Sequence, residues 1–464
     1  MVAELAYLAA TDAIHMFRSG ELAPVELMQA VVQRAQSTEP VINAFTDLYF
    51  EDALNQARLA GERYARGEAR PLEGLPVAIK EEQPIAGLPL REGSTLLRDN
   101  IATETHPIVE RIMAAGGIVH ARTTTPEFCC AGFTHSDLWG ITRTPWNIEY
   151  SAGGSSGGSG AALAAGSTTL ATGSDIGGSI RIPASFNGVV GFKPPYGRVP
   201  AMPPNNLDPY CHDGPLARTV PDCALLQNVI AGTHPLDPVS LPAPPPLAIK
   251  SAKSLKVALC MNLGDYPVDP DVATATLAAA ETLREAGIKV DEIELPWTRA
   301  EIMAAAWAHY GAIFAPMIEA AAGDRPVLRY TKDFLDRAGG DYFDALLVEA
   351  RIQADLASVF ERADALICPT SGIPAFLAGE DYLETPLVVD GVRLSHNLEA
   401  PLCIPFNMAS RCPVLSVPSG LTSTGIPAGL QIVGRPYDDS AVFALGNVVT
   451  TANPWYTSWL PAHA

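Results

Sequence analysis

Residues 153–194 read GGSSGGSGAALAAGSTTLATGSDIGGSIRIPASFNGVVGFKP. No side chain carries a charge from residue 151 to residue 174, and this uncharged run is long enough to span a bilayer. Gly, Ser, Thr and Ala dominate this segment, however, and Leu163 and Leu170 are its only large side chains. Transferring so many hydroxyl and bare peptide groups into lipid costs too much free energy, so the segment is not predicted to span a membrane.

The Gly/Ser part of this run has three competing interpretations. A phosphate-binding loop is excluded, because the chain has no Gly-Lys pair anywhere. Residues 154–158 fit the G-x-S-x-G pattern of a nucleophile elbow, but that motif needs a strand directly before it, and residues 145–150 make a poor core strand. A flexible linker is disfavoured by the alanine-rich helix predicted directly after the run.

A second feature is the segment Asp175-Ile176-Gly177-Gly178-Ser179-Ile180-Arg181. Two glycines before a serine present consecutive, unobstructed backbone N–H groups, and such a nest can stabilise a developing oxyanion while the serine attacks. On its own the pattern is equally typical of an ordinary turn.

A third feature is Lys80, one of only seven lysines, which ends the apolar run LPVAIK at residues 75–80. Burial disfavours the charged ammonium and lowers its pKa, which would make the lysine a usable base. A lysine at a strand end that extends its ammonium to solvent is the simpler interpretation of this position taken alone.

Together these segments resemble the amidase signature family. The resemblance rests on the run at 153–194 and on further segments along nearly the whole chain. These are PLEGLPVAIK (71–80), TTTPEF (123–128), TRTPWN (142–147), DGPLARTVPDCALL (213–226, matched to a helix) and GIPAGLQIVGRPYDD (425–439).

The resemblance implies an α/β fold, with one large α/β/α domain over residues 1–464 around a mixed, mostly parallel twisted sheet. A variable helical region is expected at about 296–400. The chain would be an amidase that hydrolyses the carbon–nitrogen bond of a small molecule through an acyl-enzyme, without a cofactor or metal.

The resemblance also assigns roles to individual residues. Ser179 would be the nucleophile and Lys80 the base, and Ser155 would bridge them from a cis peptide after Gly154. The spacing of 24 between the two serines matches the family. The remaining assignments are the oxyanion-hole N–H groups of Ile176, Gly177, Gly178 and Ser179, a substrate-site position for Cys129, and a buried supporting pair, Asp175 and Arg181.

Two departures from the family pattern bear on function. Glu81-Glu82-Gln83 follows the lysine where the family usually has Asp-Asn, and an acidic pair there raises the lysine pKa. The tRNA-dependent amidotransferase members of the family typically carry Met-Asp-Glu-Phe where this chain has Thr125-Pro126-Glu127-Phe128, which favours a stand-alone amidase.

Three alternatives stay open at this point. One is a carbamate (urethane) or aryl-amide hydrolase of the same family, another is an amidotransferase A-type subunit with partner chains, and the third is a binding protein with an inactive site. The walls of the substrate pocket are expected from residues 129–135, 200–212 and the helical segment at 307–314.

The composition excludes several classes of protein. Acidic residues outnumber basic residues 51 to 31, for a formal net charge of −20, which disfavours nucleic acid as a partner. The eight cysteines are sparse, none forms C-x-x-C, and no H-E-x-x-H occurs, so neither a disulfide framework nor a zinc site is expected. We expect a cytoplasmic protein with a small-molecule amide, ester or carbamate substrate, without membrane attachment, and compatible with a homodimer.

The remaining pattern alternates between helix and strand. Helices are predicted from Pro24, over residues 53–65 and 108–115, and throughout 297–364, while residues 255–295 predict a strand, an alanine-rich helix and a second strand. The proline-rich segment 235–249 is predicted to form a surface strap rather than a domain linker. Other strands are predicted in short apolar runs, at 75–80, 117–120, 189–192, 365–369, 414–418 and 428–434.

Overall fold

The computed structural model describes residues 5–454 of the chain. Eleven of the strands in this range form one central sheet, and the other four form two small hairpins. The strands are β1 Phe45–Leu48, β2 Pro76–Lys80, β3 Ile118–Thr123, β4 His135–Ser136, β5 Gly140–Ile141, β6 Leu170–Asp175, β7 Val190–Lys193, β8 His212–Ala217, β9 Lys256–Leu259, β10 Lys289–Glu292, β11 Ala365–Pro369, β12 Val388–Val389, β13 Val392–Arg393, β14 Val414–Leu421 and β15 Pro427–Gly434.

The central sheet is mixed, with the strand order β1-β3-β2-β6-β8-β7-β14-β15-β11-β9-β10. The expected mixed α/β architecture is therefore confirmed, but its mostly parallel character is not. Four neighbouring pairs in the described sheet are parallel and six are antiparallel. The difference comes from the middle of the sheet, where the run from β6 through β8, β7, β14 and β15 to β11 is joined by antiparallel pairs only.

The helices of the described range pack around this sheet, and several begin with a proline at the first helical position, where its missing N–H costs nothing. They are α1 Ala10–Ser19, α2 Pro24–Ile42, α3 Phe50–Arg66, α4 Pro107–Ala114, α5 Gly157–Ala164, α6 Arg181–Asn187, α7 Val220–Ile230, α8 Pro270–Glu285, α9 Arg299–Ala312, α10 Phe314–Ala322, α11 Arg329–Arg337, α12 Tyr342–Phe360, α13 Pro405–Met408 and α14 Asp439–Ala452. No helix among these residues combines the length and the apolar character needed to cross a membrane.

Most of the elements predicted from periodicity are present. The unit over residues 255–295 is confirmed as β9, α8 and β10, with the two strands pairing in parallel. The region 297–364 consists mainly of the four helices α9 to α12. The helix expected over 213–226 is wrong in its first part, because β8 occupies residues 212–217 and α7 begins only at Val220.

The sheet separates two apolar cores. Along β11, Leu366 and Cys368 belong to one buried cluster and Ile367 belongs to the other, as the two-residue period of a strand requires. The first cluster joins the sheet to α9–α12 and includes Trp297 and Tyr310. Within the region 296–400, helices α9–α12 therefore pack on one face of the sheet, whereas β11 is one of its strands.

A fully buried ion pair links the Gly/Ser run to the C-terminal part of the chain. Arg181 Nη2 lies 2.8 Å from Asp175 Oδ1, and neither side chain is exposed to solvent. The Arg181 guanidinium also donates to the carbonyl oxygen of Cys403 at 2.9 Å, to Gln431 Oε1 at 2.9 Å and to Asn407 Oδ1 at 2.7 Å. Asp175 and Arg181 thus form a buried ion pair in the structure, and the pair joins β6 and α6 to α13 and β15.

We predict that Arg181→Met lowers the free energy of unfolding by about 3–5 kcal/mol, because it leaves the Asp175 carboxylate buried without its cation. The shift can be measured as a change in the urea midpoint by circular dichroism. The matched control is Arg66→Met, since Arg66 is half exposed in its ion pairs with Glu62 and Glu68 and should leave the midpoint nearly unchanged. Equal shifts in the two variants would contradict this account.

Candidate active site

Lys80 is the last residue of β2, and its side chain is completely buried. Its ammonium donates hydrogen bonds to Ser155 Oγ at 2.7 Å and to Ser174 Oγ at 2.8 Å. The peptide bond between Gly154 and Ser155 is cis, as expected. The structure therefore brings together Lys80 and Ser155, which are 75 positions apart in the sequence.

The ammonium of Lys80 has a third partner, Glu82, whose Oε2 lies 2.8 Å from Lys80 Nζ. Burial by itself lowers the pKa of Lys80, but the Cys129 sulfur and the Glu82 carboxylate raise it, and the net pKa lies above its ordinary value. Burial also raises the pKa of the Cys129 thiol, so this sulfur is uncharged at neutral pH. Glu82 is consequently the main group that keeps the proton on Lys80, and the Asp213 carboxylate acts in the same direction.

Ser179 lies in the turn between β6 and α6 and is 7% exposed. Its carbonyl oxygen accepts a hydrogen bond from the N–H of Ser156 at 3.2 Å, so the turns that carry Ser155 and Ser179 are in direct contact. The Ser179 hydroxyl makes no hydrogen bond to any residue within 5–454. This hydroxyl is therefore free to form a hydrogen bond to a molecule that enters the site.

The backbone N–H groups before Ser179 divide into two sets. The N–H of Gly178 donates to Asp175 Oδ1 at 2.8 Å and is therefore already occupied. The N–H groups of Ile176, Gly177 and Ser179 have no acceptor among the described residues. A side chain at position 178 would not fit, because φ is +122° and an added Cβ would lie 2.7 Å from Cβ of Cys403.

A cavity of about 330 Å³ opens beside these groups, with Ser155, Ser174 and Ile176 in its wall. Apolar residues form much of the remaining wall, and the expected segments around 129, 200–212 and 314 contribute to it. They are Phe128, Cys129, Ala201, Met202, Pro203, Pro204, Phe314, Met317, Ile318 and Ala321.

Several polar residues at this site were not found from the sequence. Ser174 precedes Asp175 directly and contacts Lys80, but nothing distinguished it from the other serines of the run. Glu92, His106 and Asp213 line the cavity from loops and from β8. Only tertiary contacts bring them there: no local motif marks Glu92 or His106, and Asp213 opens the matched segment 213–226 without any role having been assigned to it.

Within residues 5–454, no group of three or more His, Cys, Asp or Glu side chains is arranged to hold a metal ion. All eight cysteines are free thiols.

Comparison with known proteins places the chain in a family. A family model described as Amidase matches residues 26–443. The A subunit of the glutamyl-tRNA(Gln) amidotransferase of Chloroflexus aggregans is 34% identical, with 98% of each chain covered. A bacterial aryl acylamidase described as an amidase signature enzyme has a TM-score of 0.90 at 26% identity, with 98% of both chains covered.

The solved structure of the corresponding amidotransferase subunit from Thermotoga maritima has a TM-score of 0.77 at 25% identity, with 97% of this chain and 96% of that chain covered. Sequence and structure therefore agree over almost the entire length of the chain. The chain belongs to the amidase family, the amidase signature enzymes, and acts on carbon–nitrogen bonds.

Proposed function

We propose that the chain is a stand-alone amidase that hydrolyses a small-molecule amide, with Ser179 as the nucleophile, Ser155 as the proton relay and Lys80 as the base. The observation that carries this proposal is the 2.7 Å hydrogen bond between Lys80 and Ser155 at the wall of a cavity, together with the direct contact between the turns that carry Ser155 and Ser179. A serine hydroxyl is a weak nucleophile until a neighbouring base removes its proton, and this arrangement supplies that base.

In the first half of the reaction, Ser179 Oγ bonds to the amide carbonyl carbon, its proton passes to Ser155, and the Ser155 proton passes to neutral Lys80. The carbonyl oxygen then carries the negative charge, and the free N–H groups of Ile176, Gly177 and Ser179 can stabilise it. The carbon–nitrogen bond breaks as the proton returns through Ser155 to the leaving nitrogen.

In the second half, water takes the position of the departed amine and attacks the ester carbonyl of the acyl-enzyme. The same relay removes its proton and returns a proton to Ser179 Oγ as the ester bond breaks.

We also propose that Cys129 contacts the substrate, since it lies in the cavity wall and its thiol is 3.4 Å from Glu82.

Ser179→Ala should reduce kcat by at least about 10³-fold, because the acyl-enzyme can no longer form. Lys80→Ala should give a comparable loss, with residual activity that increases with pH as hydroxide replaces the base. Activity against p-nitroanilides and mass spectrometry of the intact chain during turnover are the measurements. The control is Ser419→Ala, which removes a serine of β14 that lies outside the cavity. Full activity of Ser179→Ala would rule out the proposed nucleophile.

The ion pair with Glu82 predicts a specific pH dependence. Lys80 acts as a base only when neutral, so activity should rise with pH through the pKa of Lys80, which Glu82 holds above its ordinary value. Glu82→Gln removes the carboxylate and lowers that pKa, and the acid limb of kcat/KM should therefore move to lower pH. The full pH profile of both proteins is the measurement, and an unshifted or alkaline-shifted limb in the variant would contradict the proposed base.

A second candidate is a subunit of a glutamyl-tRNA(Gln) amidotransferase, which the curated relative at 34% identity favours. Two observations support the stand-alone amidase instead. The TM-score to the aryl acylamidase is 0.90, against 0.77 for the solved amidotransferase subunit. In addition, no arginine or lysine is among the described residues that line the cavity, so no guanidinium or ammonium group of the wall pairs with the α-carboxylate of free glutamine.

The apolar cavity wall and the likeness to an aryl acylamidase support an aryl-amide substrate. We also propose that the chain folds as one domain, in which the helical region at 296–400 sets substrate choice, since Phe314, Met317 and Ile318 in the cavity wall belong to α10.

Substrate profiling of the purified chain separates the two candidates. We expect release of aniline from acyl anilides and little or no release of ammonia from glutamine. The control is Ser179→Ala with both substrates, which reveals any contaminating activity. Glutaminase activity together with isolation of the chain in a stable complex with two other proteins would establish the amidotransferase function instead.

A further inference from the structure

The wall of the candidate substrate cavity is acidic on one side. Glu82, Glu92 and Asp213 line it, and no lysine or arginine is among its described lining residues. Lys80, behind Ser155, is already paired with Glu82. A substrate that enters this cavity therefore meets carboxylates without a balancing free cation.

Two of these carboxylates already have partners. Glu82 accepts from the Lys80 ammonium at 2.8 Å. Asp213 accepts a hydrogen bond from Gln83 Nε2 at 2.6 Å, and its second oxygen lies 3.4 Å from His106 Nε2. Neither group needs a ligand to satisfy its hydrogen-bonding capacity.

Glu92 differs from them. Its side chain forms no hydrogen bond and no ion pair within residues 5–454, although it is half buried in the cavity wall. Burial raises the pKa of Glu92 to about 7; the neighbouring Glu82 carboxylate adds to this effect, and the charge of Lys80 partly opposes it. Removing a carboxylate from water costs free energy when no hydrogen-bond donor replaces the water. A ligand that donates a hydrogen bond to Glu92 would recover that free energy.

The backbone of Glu92 is held firmly in place. Its φ is +48°, a conformation that non-glycine residues adopt rarely. The N–H of Glu92 donates to Glu81 Oε2 at 2.7 Å, and its carbonyl oxygen accepts from the N–H of Phe128 at 2.8 Å. These two bonds fix the backbone of Glu92 between the loop after β2 and the segment that carries Cys129, so the point from which its side chain extends is held in place.

We propose that the cavity selects amide substrates that carry a protonated amine, and that Glu92 binds this ammonium group while the apolar wall holds the spacer between it and the scissile carbonyl. This inference rests on the proposed hydrolysis. The spacer would contact Met202, Phe314 and Met317, which offer no charged group to compete for the ammonium. Substrates with a carboxylate in the same place would be repelled by Glu82 and Glu92.

Three p-nitroanilides of similar length test the proposal: 6-aminohexanoyl (cationic), heptanoyl (neutral) and adipoyl (anionic). We expect kcat/KM to be at least about 10-fold higher for the cationic substrate than for the neutral one, because a charge-assisted hydrogen bond to Glu92 contributes about that much. The anionic substrate should have the lowest kcat/KM of the three. Equal values for the cationic and neutral substrates would overturn the inference and leave the proposed hydrolysis standing. No hydrolysis of any of the three would overturn both.

Variants of Glu92 assign the selection to this residue. Glu92→Gln should reduce the cationic-to-neutral ratio of kcat/KM to near one, and Glu92→Lys should invert the order in favour of the adipoyl substrate. Glu104→Gln is the matched control, since Glu104 is an exposed acid of the same part of the chain, and its loss should leave the ratio unchanged. A ratio that survives Glu92→Gln in a folded protein, as judged by circular dichroism, would overturn the role of Glu92.

Discussion

The carboxylate of Asp175 is the group on which the site is built. It is fully buried and receives hydrogen bonds from the Arg181 guanidinium and from the N–H groups of Gly178 and Ile180. Burial raises its pKa, but Arg181 outweighs this and holds the pKa of Asp175 well below its usual range. Because this one carboxylate fixes both ends of the turn that contains Ser179, the geometry of the proposed nucleophile depends on an ion pair that has no step in the proposed mechanism.

A similar balance of burial and charge governs Lys80. A lysine in an apolar strand loses its proton easily only if no anion is close, and here Glu82 is 2.8 Å away. Ser155 and Ser174 accept hydrogen bonds from the Lys80 ammonium and so also stabilise its charged form. The resting site therefore holds a charged lysine, and the neutral base needed for the proposed hydrolysis is the less populated form at neutral pH. In the proposed mechanism, the ion pair with Glu82 rather than the serines controls how often that base is available.

The sequence predicted what is local and left out what depends on packing. The turn at Ser179, the strand that ends in Lys80 and the buried partner of Asp175 were predictable because each depends on a short pattern or on a matched motif. Strand β8 was missed because Asp213-Gly214-Pro215 reads as a turn, and only pairing with β6 and β7 makes it a strand. The occupied N–H of Gly178 was equally hidden, since spacing does not reveal which amides already have an acceptor.

These observations separate the reaction from the choice of substrate. The proposed bond cleavage uses the ends of β2 and β6, the turn after β6 and the segment before α5 that carries Ser155, all held by buried polar contacts that tolerate little change. The cavity wall, in contrast, comes from the loop at 201–205, from α10 and from the loop that carries Glu92, and none of these belongs to a sequence motif. Proteins with different activities can share this fold because the wall can vary while the sheet and its buried ion pair do not. A substrate preference is therefore best sought in charges such as that of Glu92, which the cavity leaves without a partner among the described residues.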